Sequence, residues 1–192
     1  MEKLTGLKKI KSAIFISGDG SNLKNLIKFS KLTKAPISVN LVISNTLKAK
    51  GLRYTDQFDI KKKIFNFQNI KSTEKKLLAL LKKDKINFIC LAGFMKILSK
   101  DFIKKFRGKI INIHPSLLPK YKGVNTFTRI LKNKEKMSGC TVHHVNDKLD
   151  SGNIILKKSF SINDKDDELS IKRKTQKMEY KAFSEAIVKL YR

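Results

Sequence analysis

Short apolar runs alternate with amphipathic stretches along most of the chain. The runs that predict buried strands lie at residues 12–17, 37–44, 64–67, 88–94 and 110–114. The segments between them carry apolar residues at helical spacing, starting at Leu23 and near 48–58, 73–84 and 99–106. Because alternating strands and helices form a mostly parallel sheet with helices on both faces, the pattern predicts an α/β fold.

The last third of the chain predicts a short helix, two strands and a long helix. The short helix is expected at 126–132 and the strands at 141–145 and 153–162. From Asp167 onward, apolar residues recur at roughly helical spacing and predict a C-terminal helix. Since no repeat or linker divides the sequence, we expect residues 1–192 to form a single domain.

The chain is strongly basic, with a formal net charge of +27 from 43 Lys and Arg against 16 Asp and Glu. Such a balance often indicates nucleic-acid binding. However, only five of the basic residues are Arg, and the chain has no Trp. Phosphate and base recognition favours Arg, so we expect the charge to lie mainly on solvated faces, with no specific nucleic-acid partner.

Cysteine and histidine spacing gives no indication of a metal site. Cys90 and Cys140 lie in apolar runs without a CxxC pattern, which predicts buried, reduced thiols. His143 and His144 are neighbours in a predicted strand and should point to opposite faces, so one ion could not readily bind both.

Two features predict a cytoplasmic protein without a membrane partner. The apolar run at 13–16 is too short for a signal-peptide core. No apolar run approaches the length of a membrane span.

The strand predicted at 110–114 ends in two polar side chains that share a face. A residue before proline avoids the helical region, so His114, which precedes Pro115, should be extended. Asn112 and His114 then project to the same side, at the strand end where open α/β sheets bind ligands. A structural, hydrogen-bonded histidine is the alternative to a catalytic one.

Three further segments carry candidate chemistry. Gly18 to Asn22 form a glycine turn between a strand and a helix, where Ser21 or Asn22 could cap the helix and backbone amides could bind phosphate; a plain turn is the alternative. Residues 91–98 end another apolar strand. Asp150 lies in a turn-rich segment and could be only a turn aspartate.

These segments together resemble the folate-dependent formyltransferases. The similarity covers residues 12–190 and rests on Asn-Ile-His-Pro-Ser-Leu-Leu-Pro at 112–119, Gly-Asp-Gly-Ser-Asn-Leu at 18–23, the segment 91–98 and an Asp-x-Leu-Asp-x-Gly pattern at 147–152. It implies a single Rossmann-like domain. It also implies transfer of a formyl group from 10-formyltetrahydrofolate, as co-substrate, to the amine of glycinamide ribonucleotide in purine biosynthesis, without a metal.

The resemblance also implies roles for particular residues. The catalytic residues would be Asn112, His114 and Asp150. The substrate phosphate would bind Gly20, Ser21 and Asn22, and other parts of the ribonucleotide would contact Gln176 and Glu179. The folate would bind Met95, Lys96, Ile97, Leu98 and Asp147. The chain departs from the usual family pattern in having Lys96 for Arg, Lys122 for Pro and Asn125 near the place of a His.

Three other functions stay open at this point. Hydrolytic deformylase relatives carry an added N-terminal domain, and tRNA formyltransferase relatives carry an added C-terminal domain. We expect a chain of 192 residues to have room for neither. A basic binding protein without catalytic activity is the third alternative. The sequence leaves open whether the chain is a monomer or a homodimer.

Overall fold

The computed structural model describes residues 8–191, in which seven strands form one sheet flanked by helices. In chain order the elements are β1 (Ile10–Ile16), α1 (Ser21–Ser30), β2 (Ile37–Ser44), a 3₁₀ turn (Lys50–Leu52), α2 (Arg53–Gln57), β3 (Lys61–Ile64), α3 (Ile70–Lys83), β4 (Phe88–Leu91), α4 (Lys100–Lys105), β5 (Lys109–His114), α5 (Thr126–Lys132), β6 (Met137–His144), β7 (Ile154–Ser161) and α6 (Glu168–Leu190). The ends of the predicted domain, residues 1–7 and 192, lie outside the described part.

The sheet has the order β3-β2-β1-β4-β5-β6-β7. The first five strands in this order pair in parallel, whereas β6 and β7 are antiparallel to their neighbours. This confirms the predicted α/β fold with a mostly parallel sheet and a C-terminal helix.

Two hydrophobic cores lie on the two faces of the sheet. Alternate residues of β1 supply both: Ile14 and Ile16 pack with α1 and α6 on one face, and Ala13 and Phe15 pack with α3 and α4 on the other. Since side chains alternate along a strand, a strand that is apolar throughout must be covered on both faces.

Four predicted elements differ from the structure in bounds or type. The strand expected at 88–94 ends at Leu91, and the strand expected at 141–145 begins earlier, at Met137. The strand expected at 64–67 is found at Lys61–Ile64, because β3 is an edge strand that pairs only with β2 and can carry lysines facing solvent. The helix expected at 48–58 is a 3₁₀ turn followed by the short α2.

Both cysteines are free and buried, as predicted, and burial raises the pKa of each thiol. None of the helices within residues 8–191 is long and apolar enough to cross a membrane.

Candidate active site

The carboxyl ends of three neighbouring parallel strands bring the candidate segments together. Strands β1, β4 and β5 lie side by side, and each is followed by one of the candidate loops. From β1 the chain continues to β2 on one side, while β4 pairs with β1 on the other side. Ligands in open α/β sheets bind at such a switch in strand order.

The carboxylate of Asp150 is the centre of a buried polar cluster at this edge. Its Oδ2 accepts a hydrogen bond from the Gly123 N–H at 2.9 Å and lies 3.2 Å from His114 Nδ1. Its Oδ1 accepts from Asn112 Nδ2 at 3.4 Å. The residue is only 8% exposed, so its carboxylate is directed inward and does more than terminate a turn.

The surroundings of Asp150 keep it ionised. Burial alone would raise the pKa of this carboxyl group. The nearby His143 and His114 rings and the hydrogen bond from the Gly123 N–H outweigh burial and hold the pKa of Asp150 below its usual value.

The His114 ring lies between two oxygen acceptors. Nδ1 faces Asp150, and Nε2 lies 2.8 Å from the carbonyl oxygen of Tyr121. Burial lowers the pKa of His114, while the Tyr121 carbonyl and Asp150 oppose this effect. Because neither oxygen can donate, only the protonated ring makes both contacts as hydrogen bonds, and the charge of Asp150 favours that form.

His143 is a member of the cluster that sequence reasoning missed. It lies opposite Asn112 in the antiparallel pairing of β5 with β6, and it is 2% exposed. Its Nδ1 donates to the carbonyl oxygen of His144 at 2.8 Å, so in the neutral ring Nε2 accepts from Asn112 Nδ2 at 3.2 Å. His143 therefore orients the Asn112 amide. The cross-strand register that pairs the two residues was the missing information.

The loop after His114 is fastened to β6. Thr141 Oγ1 donates to the carbonyl oxygen of Ser116 at 2.7 Å and accepts from the Leu118 N–H at 3.0 Å. Both contacts are buried and hold the segment that leads to Tyr121. The position of the carbonyl group that binds His114 thus depends on a side chain of the neighbouring strand.

The turn after β1 requires one of its two glycines. Gly20 has φ +71°, and a Cβ there would lie 2.5 Å from the Cα of Gly51. At Gly18, a Cβ would meet nothing within 4 Å. Gly20 is also the N-cap of α1 without a side-chain hydrogen bond, so the prediction that Ser21 or Asn22 caps this helix is wrong.

The side chain of Asn22 turns toward α6. Its Nδ2 donates to Glu179 Oε2 at 2.8 Å, whereas its buried Oδ1 has no hydrogen-bond partner within residues 8–191. Burial raises the pKa of Glu179 to about 7, despite the opposing hydrogen bond from Asn22. The structure therefore brings Glu179 to the glycine turn, with Gln176 one helical turn earlier on α6.

The loop after β4 exposes apolar side chains at the same edge. Met95 is 70% exposed and Ile97 is 69% exposed, while Leu98 is buried. Lys96, between them, is exposed as well. Asp147 lies beyond the end of the loop, where its Oδ2 is 3.3 Å from Lys100 Nζ.

The cluster does not present a metal-binding geometry. Within residues 8–191, no three His, Cys, Asp or Glu side chains are grouped so that they could hold a metal ion.

A family model described as formyl transferase matches residues 10–187. The chain belongs to the formyl transferase family. Among curated members, it is 38% identical to the phosphoribosylglycinamide formyltransferase of Haemophilus influenzae, over 92% of this chain and 84% of that protein.

A solved structure of this family has the same fold. The crystal structure of phosphoribosylglycinamide formyltransferase from Brucella melitensis superimposes with a TM-score of 0.90 at 35% identity, and covers 95% of this chain and 96% of that one.

Some formyl transferase relatives are much longer proteins. The chain is 39% identical to the trifunctional purine biosynthetic protein adenosine-3 of Drosophila melanogaster over 98% of its own length, but it spans only 14% of that protein.

Proposed function

We propose that this chain transfers a formyl group from 10-formyltetrahydrofolate to the amine of glycinamide ribonucleotide, yielding formylglycinamide ribonucleotide and tetrahydrofolate. The single observation that carries the proposal is the buried cluster in which Asp150 contacts both Asn112 and His114 at the carboxyl edge of the sheet. The names of the Haemophilus and Brucella relatives, each similar over most of its length, support the same reaction.

The cluster fits the chemistry of acyl transfer to an amine. The amine nitrogen attacks the formyl carbon, and the carbonyl oxygen gains a negative charge in the tetrahedral intermediate. Hydrogen-bond donors directed at that oxygen are the main stabilising feature in such reactions. The Asn112 amide and the protonated His114 ring are the two donors at this position in our proposal.

Both donors also contact acceptors within the protein. The bond from Asn112 Nδ2 to Asp150 is long, at 3.4 Å, so this hydrogen is the more easily redirected to a substrate oxygen. The hydrogen on His114 Nε2 faces the Tyr121 carbonyl at 2.8 Å and would be shared with the substrate or released to it.

Asp150 has two roles in the proposed mechanism. Its negative charge favours the protonated form of His114, 3.2 Å away. As the ionised acceptor of the cluster, it also assists removal of the proton that the attacking amine must lose, through a water molecule, so that the proton can reach the departing folate nitrogen.

The two substrates would enter from the flanking loops. The phosphate of the ribonucleotide would bind the amides of Gly20, Ser21 and Asn22 at the start of α1, where the helix dipole favours an anion. Glu179, held at this turn by Asn22, and Gln176 would contact the rest of the ribonucleotide.

The folate ring would bind at the loop after β4. The backbone and exposed side chains at Met95 to Leu98 would contact the ring, with Asp147 nearby. Lys96 keeps the positive charge of the usual Arg but lacks its planar fork.

Steady-state turnover with both substrates tests the proposal. We expect tetrahydrofolate to form only when glycinamide ribonucleotide is present. Tetrahydrofolate release without the ribonucleotide would indicate a hydrolytic deformylase, and no release under either condition would favour a binding protein.

Four properties that the sequence predicts belong to the same proposal. These are a single formyltransferase domain over residues 1–192, small-molecule substrates rather than a specific nucleic acid, a cytoplasmic location, and a reaction without a metal. The proposal holds for either a monomer or a homodimer.

A further inference from the structure

One hydroxyl group connects the glycine turn to the loop after β4. Ser17 directly follows β1, and its Oγ accepts a hydrogen bond from the Met95 N–H at 2.7 Å. The same Oγ donates its hydrogen to Asn45 Oδ1 at 2.5 Å, so the hydroxyl oxygen can act only as an acceptor toward Met95. The Ser17 N–H also donates to the carbonyl oxygen of Gly93 at 3.0 Å.

The other end of that loop is held by a buried carboxylate. Glu74, which is 5% exposed, accepts the Ser99 N–H at 2.8 Å with one oxygen and the Ser99 hydroxyl with the other. The segment 93–98 is therefore fixed at both ends, while Met95 and Ile97 between the two anchors are exposed. A loop that exposes two apolar side chains from a fixed backbone is suited to bind a flat, partly apolar ring.

We propose that Ser17 is a positioning residue for the folate co-substrate, which sets the backbone at Met95 in the conformation that binds the ring. This inference rests on the proposed function, and it assigns a role to the residue that joins β1 to the glycine turn. Ser17 acts through the Met95 N–H and does not itself participate in the chemistry.

The hydroxyl should affect one substrate and spare the other. The glycine turn, where the ribonucleotide phosphate would bind, is held by contacts that do not involve Ser17 Oγ. The Gly51 N–H donates to the carbonyl oxygen of Gly18 at 3.0 Å, and Gly20 packs against Gly51. The backbone bond from the Ser17 N–H to Gly93 also survives removal of the hydroxyl. Removal of the hydroxyl eliminates the anchor at Met95 and the hydrogen bond to Asn45 Oδ1, which lies outside the glycine turn.

The test compares Ser17→Ala with Ser17→Thr and with the matched control Ser12→Ala. Ser12 lies in β1, five residues before Ser17, and donates its hydroxyl to the carbonyl oxygen of Ser38 at 2.7 Å, far from either loop. We expect Ser17→Ala to raise the KM for 10-formyltetrahydrofolate about fivefold, which corresponds to one ordinary hydrogen bond, and to leave the KM for the ribonucleotide unchanged. Ser17→Thr should retain the wild-type values, and Ser12→Ala should change neither KM.

A second readout is independent of the reaction. Amide hydrogen exchange at Met95 should accelerate in Ser17→Ala and stay as in the wild type in Ser12→Ala.

Two results for Ser17→Ala would overturn the role of Ser17: equal increases in both KM values, or no change in the folate KM and in the exchange rate at Met95. Neither result would affect the proposed function as long as the wild type turns over both substrates. Absence of wild-type turnover would instead contradict the proposed function itself.

Discussion

Replacing Asp150 by Asn separates the charge of the cluster from its shape. Asn has nearly the same size and can still accept from the Gly123 N–H, but it cannot counter the charge of the protonated His114 ring. Two unit charges 3.2 Å apart attract by about 5 kcal/mol at an effective dielectric constant of about 20. If about half of this attraction supports the transition state, kcat should fall about a hundredfold.

The kcat of Asp150→Asn should depend on pH in a definite direction. The protonated His114 ring is populated below its pKa, which burial already places under the usual value. Removal of the Asp150 charge lowers that pKa further, so the variant should recover part of its kcat as the pH is lowered. The wild type should need less acid to reach its own maximum.

The assay measures kcat, both KM values and the melting temperature of Asp150→Asn across pH. The control is Asp164→Asn, which removes a carboxylate from a fully exposed side chain that pairs with Lys136. We expect both KM values of Asp150→Asn to stay within about threefold, since the charge acts on the reacting atoms. A kcat within about fivefold of the wild type would refute the role of Asp150.

Three further predictions follow from contacts around the cluster and the glycine turn. Gly20→Ala should lower the melting temperature by several degrees, since its positive φ and the close backbone beside it cost about 2–4 kcal/mol, whereas Gly18→Ala should be nearly neutral in the same thermal melts. Burial raises the pKa of Glu179 to about 7, so the folded protein holds a proton on this carboxyl group that the unfolded chain has already released, and the folded state loses stability as the pH rises to about 7. Glu179→Gln should therefore raise the melting temperature at about pH 8 and change it little at about pH 5. His143→Ala should lower kcat about tenfold by freeing the Asn112 amide, and a double-mutant cycle with Asn112→Ala should show coupling of about 1 kcal/mol; additive losses would mean that the two side chains act separately.

The regular part of the fold could be predicted because its central parallel strands contain continuous apolar runs. Residues 37–44 are predicted as a strand and form one, and the run at 41–44 is buried on both faces. The strand β3 was displaced in the prediction because its side chains are mostly lysines and its position depends on pairing with β2. Because an edge strand is only partly buried, its sequence need not show the apolar pattern that identifies a central strand.

The candidate site could be predicted only where one strand carries several of its residues. Asn112 and His114 share a face of β5, which the period of a strand predicts directly. The position of Asp150 beside them required the resemblance to a family. His143 and the Tyr121 carbonyl group depend on the register of β6 and on the path of a loop, which the local pattern of side chains does not specify.

Transfer of an isotopically labelled formyl group tests the central claim most directly. The wild-type chain would be incubated with 10-formyltetrahydrofolate labelled in the formyl carbon and with glycinamide ribonucleotide, and the products would be separated and identified by mass. We predict that the label appears in formylglycinamide ribonucleotide, in a quantity equal to the tetrahydrofolate formed. Label recovered as formate, or left in the folate after prolonged incubation, would contradict the assignment of this cluster as a formyl-transfer site.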